Sequence, residues 1–106
     1  MLDEILELNR RAAQEGDFEV AYHLLMAALH YVDHAGDEAA LARLVELARK
    51  QASAVEAVAP AHHLSRRLAQ VRGQTALYDS FQAHAEAVRL RLQSARRLKS
   101  GSVRRT

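Results

Sequence analysis

The chain has no cysteine, one proline and four glycines among its 106 residues. Lack of cysteine excludes disulfides, thiolate zinc sites and a cysteine nucleophile. Stability must therefore come from packing. Scarcity of proline and glycine removes the residues that most often interrupt helices. No stretch approaches the roughly 18 consecutive apolar residues that span a bilayer. The opening Met1-Leu2-Asp3-Glu4 carries acid where a secretory signal would carry base, so a cytoplasmic location is the expectation.

What the chain does contain is helix-forming material. Apolar residues make up 49% and charged residues 26%, the composition of a folded globular chain rather than a disordered one. Alanine supplies much of the apolar share, and Leu, Arg, Gln and Glu most of the remainder, all strong helix formers. The length suits one domain and is too short for two independent cores. The expectation is an all-α fold of antiparallel helical hairpins, a small bundle of four to five helices. It occupies residues 1–98 as one domain, with 99–106 as a flexible basic tail.

Three marks divide the sequence: Gly16-Asp17, Gly36-Asp37 and Pro60. Glycine can end a helix in the left-handed conformation, and aspartate can cap the next one by accepting from its free N–H groups. Proline suits a first helical turn. The predicted helices cover residues 2–15, 17–34, 37–58 and 60–98. Apolar spacing supports them: Ile5, Leu8 and Ala12 share a face of the first, and Leu41, Leu44, Val45, Ala48, Ala52 and Val55 share a face of the third. The second carries two stripes, Phe18-Ala21-Tyr22-Leu25-Leu29-Val32 and Val20-Leu24-Ala27-Tyr31, which predicts packing on two sides.

In the last segment Gly73 is the predicted breakpoint, with Leu64, Leu68 and Val71 serving the part before it. After it, Leu77, Phe81, His84, Val88, Arg91, Ala95 and Leu98 follow a 4-3 spacing like that of a coiled-coil seam, interrupted by His and Arg.

The stretch Glu15-Gly16-Asp17-Phe18-Glu19-Val20-Ala21, continuing to Ala28-Leu29, resembles the turn and second helix of a tetratricopeptide repeat. Ala21 and Ala28 match the family's small residues, and Ile5 and Leu8 match its large apolar ones in the first helix. The resemblance covers residues 2–34. Asn9 and Ala12 depart from the family's small residue and aromatic. A second turn, due near Lys50-Gln51 at the 34-residue period, is replaced by sequence that reads as unbroken helix, so no repeat array is expected. The resemblance implies a peptide-binding groove lined by Asp3, Leu6, Arg10, Ala13 and Gln14. Because Leu6 and Arg10 replace the Lys and Asn that grip a terminal carboxylate in some members, that ligand class is not implied.

Charge is segregated. Residues 1–60 hold five Lys or Arg against eleven Asp or Glu, a net of −6, and residues 61–106 hold ten against two, a net of +8. Such asymmetry suits an acidic partner, a nucleic acid, self-association, or mutual neutralisation within the fold. The basic residues concerned include Arg66, Arg67, Arg72, Arg89, Arg91, Arg96 and Arg97. His30 and His34 have the i, i+4 spacing of two helix-borne metal ligands, but no third ligand accompanies them, so they read as solvated residues. His62 and His63 read as surface residues at a helix start. No phosphate loop, His-Glu-x-x-His or nucleophile elbow occurs.

The functional expectation is a non-enzymatic protein–protein interaction module of adaptor, chaperone-like or regulatory kind, homodimeric through its C-terminal helix and without a cofactor. An Arg-mediated nucleic-acid binder and a metal-binding or enzymatic bundle are the alternatives.

Overall fold

The computed structural model describes the backbone of residues 1–57 and 65–105, and the side chains of residues 1–57 and 70–98. Four helices follow one another: α1 (Leu2–Gln14), α2 (Phe18–Ala35), α3 (Glu38–Ala57) and α4 (Ser65–Arg105). No strand occurs among the described residues. Pro60, His62 and His63 lie outside them, as do the side chains of Leu64 and Leu68.

The two glycine marks act as the local chemistry requires. Gly16 and Gly36 adopt φ of +79° and +70°, a region that side chains with a Cβ avoid. Each lets the chain fold back so that the following aspartate N–H reaches a carbonyl five residues earlier: Asp17 to Ala12 at 2.9 Å and Asp37 to Val32 at 3.3 Å. These bonds satisfy carbonyls that a bare helix end would leave open. Asp37 also caps α3, its Oδ1 accepting from the Ala40 N–H at 3.0 Å. Asp17 differs from expectation, because its side chain makes no capping bond although it occupies the corresponding position.

Helix α1 packs on α2, α3 on α4, and α2 lies against both α3 and α4. The core forms where these faces meet. Leu25, Leu29 and Val32 of α2, Leu41, Leu44 and Val55 of α3, and Phe81 and Val88 of α4 are all buried in it. Each large side chain so removed from water contributes about 1.5–3 kcal/mol before the entropy of ordering is counted. The predicted faces of α3 and the first stripe of α2 are those the structure uses. Helix α3 also runs unbroken through Lys50-Gln51.

On α1 the buried face is rotated from the predicted one. Ile5 and Ala12 pack inward, Leu8 is exposed, and Asn9 is fully buried. The reason is polar. Asn9 Nδ2 donates to the Ala21 carbonyl at 2.6 Å and to Gln51 Oε1 at 3.2 Å, while Gln51 Nε2 donates back to Asn9 Oδ1 at 2.5 Å. The Tyr78 hydroxyl completes the set by donating to Gln51 Oε1 at 3.0 Å. One network thus touches all four helices. Among the described residues no buried side-chain nitrogen or oxygen lacks a partner, and burial pushes the Tyr78 phenol up to about 12.

Helix α4 passes through Gly73 without a break. A helical glycine costs about 1 kcal/mol relative to alanine, less than is gained by burying Val71 and Tyr78 on either side of it. The stripe that α4 buries is Val71, Tyr78, Phe81, Ala85 and Val88, with Leu92 partly covered. Of the predicted seam, only Phe81 and Val88 are buried; Leu77 is half-buried, and His84, Arg91, Ala95 and Leu98 are exposed. The faces of α2 and α3 cover this side of α4, so the two buried members are used within the chain. The backbone of α4 remains helical past Leu98 to Arg105, through most of the segment expected as a basic tail. Basic residues suit that end of the helix dipole. At about 1.5 Å per residue its 41 residues span about 61 Å, which accounts for the 64 Å long axis of the molecule.

Candidate functional site

The groove residues implied by the resemblance divide into two groups. Leu6 and Ala13 are half-buried and pack against the core, so their apolar surface is partly used inside the fold. Asp3, Arg10 and Gln14 are exposed. Arg10 is tied to its own helix, its Nε donating to Glu7 Oε2 at 3.0 Å. That hydrogen bond holds the Glu7 carboxyl below its ordinary range and the Arg10 guanidinium above its own.

Of the five α4 arginines whose side chains are described, three pair with acids. Arg89 pairs with Glu86 on α4 itself, Arg91 with Asp33 of α2, and Arg96 with Glu38 of α3 at 3.6 Å. The last two join the basic half of the sequence to the acidic half across helix boundaries. Arg72 and Arg97 make no ion pair among the described residues, and the side chains of Arg66 and Arg67 lie outside them. Arg89 and Arg96, seven residues apart on one side of α4, both lie near Glu38, so the charge of that side is partly neutralised within the fold.

His30 and His34 are exposed on α2. No group of three or more His, Asp or Glu able to hold a metal occurs among the described residues. His30 instead borders a groove of about 410 Å³ between α2 and α4, with Met26, Leu29 and Val88 as its apolar part and Asp33, His84 and Arg91 as its polar part. The Asp33–Arg91 pair spans that groove, and His84 Nδ1 lies 2.9 Å from the Ser80 carbonyl of its own helix. Asp33 and Arg91 are thus engaged with each other, and His84 with its own helix.

The outer face of the first hairpin is different. Leu8 of α1 is 49% exposed, and Val20 and Tyr31 of α2 are 44% and 43% exposed. Leu24 between them is half-buried and Ala27 exposed. The pattern of the second stripe of α2 predicts that it is packed. It is left uncovered because α3 and α4 pack around Leu25, Leu29 and Val32, while α1 meets α2 along the flank where Asn9 bonds to the Ala21 carbonyl. A shallow depression of about 380 Å³ runs along this face, bordered by Leu8, Val20 and Leu24, with Arg11, Glu15 and Asp17 at its end. The stripe was visible in the sequence. Its exposure was not, since periodicity marks an apolar face without saying whether this chain supplies the cover.

No helix among the described residues is long and apolar enough to cross a membrane. Comparison with family models, with curated proteins and with solved structures finds no match.

Proposed function

We propose that the protein is a protein–protein interaction module that receives its partner on the outer face of α1 and α2. The observation behind this reading is the uncovered stripe Val20-Leu24-Ala27-Tyr31, extended sideways by Leu8. Its 4-3-4 spacing is that of a seam which a partner helix fills. Isolated exposed apolar residues are ordinary, but a contiguous set rimmed by charge marks a contact surface. The resemblance of residues 2–34 to a tetratricopeptide hairpin agrees with this use, since such hairpins cover their outer faces by stacking on a neighbour. Helix α4 supports docking less well, because its exposed large apolar side chains among the described residues are Leu90 and Leu98, eight positions apart.

Affinity capture with three forms of the protein tests the reading: wild type, Val20→Glu/Tyr31→Glu, and Leu90→Glu as a control on α4. Exposed substitutions of this kind change stability by about 0.5 kcal/mol or less, so matched melting curves are expected. Partners held by wild type and by the control, and lost from the α2 variant, support the proposal. The same set captured by all three overturns it.

A further inference from the structure

We infer that the occupant of this outer face is the same face of a second copy, with the two α2 helices antiparallel about a two-fold axis. The inference rests on the interaction reading above and adds the identity of the partner.

The stripe is complementary to itself in one direction only. In an antiparallel pair centred between Leu24 and Ala27, Val20 lies opposite Tyr31 of the second copy and Leu24 lies opposite its Ala27. Each contact sets a larger side chain against a smaller one, which fills space without collision. The same register brings Asp17, at the start of α2, opposite His34 in the last turn of the other copy. Asp17 is exposed, borders the apolar depression and makes no capping bond with its side chain, so its carboxylate is available. His34 is likewise exposed. The two-fold axis repeats this pairing at both ends, and antiparallel helix dipoles favour the arrangement. A parallel pair would set Asp17 against Asp17 and Tyr31 against Tyr31, which costs both charge and fit.

The available area sets the strength. Helix α2 has 18 residues, about 27 Å, and a face two helices wide is about 20 Å across. Two such faces bury roughly 1,000 Å² in all, the lower limit for a specific interface. A dissociation constant on the order of 10–100 µM is expected.

Sedimentation equilibrium of the full chain from low to several hundred micromolar tests this directly. A monomer–dimer equilibrium in wild type, weakened about 100-fold or more by Val20→Glu/Tyr31→Glu and unaffected by Leu90→Glu, is the expected result. His34→Glu, which faces acid with acid, weakens the dimer roughly fivefold, and adding Asp17→Lys to it restores association. Thermal melts of each variant confirm that it is folded. A dimer broken by Leu90→Glu and not by the α2 variant overturns the inference, as does failure of the charge swap to restore a weakened dimer. A monomer at every concentration also overturns it. In that case capture still sensitive to the α2 variant leaves the interaction reading standing, while insensitive capture removes both.

Discussion

Replacing Tyr78 by Phe and following stability from pH 7 to about pH 12.5 probes the buried network through a change of sign. At pH 7 the variant lacks the phenol's hydrogen bond, directed mainly to Gln51 Oε1 at 3.0 Å with the Phe18 carbonyl farther off at 3.4 Å. Gln51 Oε1 still accepts from Asn9, so the loss is about 1 kcal/mol. Alkali reverses the order. Burial raises the phenol from 10.0 to about 12, and the unfolded chain therefore ionises first. A value raised by folding means that the contribution is complete below pH 10 and is lost as the pH climbs through about 12. The two-unit gap, at about 1.4 kcal/mol per unit, withdraws about 2.7 kcal/mol from wild type. The variant has nothing to ionise at that position. The two stability curves should cross near pH ~10.7 and end with the variant ahead by about 1.5 kcal/mol. Urea unfolding at fixed pH, read by circular dichroism, measures both curves, and ultraviolet phenolate absorbance should lose its most alkaline component in the variant. Curves that stay parallel across this range would refute the assignment of a desolvated phenol at the centre of the bundle.

Three further outcomes follow from named positions. Gly73→Ala should stabilise the protein by about 0.5–1 kcal/mol, because the site is helical and an added Cβ meets nothing within 4 Å; a lower melting temperature would contradict the unbroken α4. Gly36→Ala should destabilise by about 1–2 kcal/mol, since φ is +70° there, and denaturant midpoints compared with wild type give the value. Asn9→Ala strands the Gln51 amide and should cost about 2–3 kcal/mol. The double variant with Gln51→Ala should cost less than the two single changes together by about 1–2 kcal/mol, a coupling that a double-mutant cycle in urea measures directly.

The elements most legible in the sequence are those whose cause is local. Gly16 and Gly36 announce helix ends because few other residues tolerate a left-handed backbone, and Asp37 caps its helix through atoms three residues away. The inward stripes of α2 and α3 are legible because Phe18, Leu25, Leu29, Val32, Leu41, Leu44 and Val55 are apolar, while Gln51, buried on the same side of α3, is not announced by that pattern. Helix α4 is harder for a specific reason. Leu77-Phe81-His84-Val88-Arg91 and Tyr78-Phe81-Ala85-Val88-Leu92 both follow a seven-residue pattern and share two members. Choosing between them depends on Tyr78 finding Gln51, 27 residues earlier, which spacing along one helix cannot reveal. Asn9 is obscure for the same reason, since a buried amide makes sense only beside a partner 42 residues away. The candidate site is half legible: the Val20-Tyr31 stripe is plain, but its exposure follows from which faces α3 and α4 occupy.

The amides of Asn9 and Gln51 and the phenol of Tyr78 come from three distant stretches of chain and satisfy one another where water has no access. None can drift alone during descent without leaving an oxygen or nitrogen stranded in oil. Lineages sharing this architecture should therefore hold all three identities or exchange them as a set, most simply for a trio of hydrocarbon side chains of equal bulk. Those three alignment columns would then vary in step, although their separation along the chain gives no hint of it.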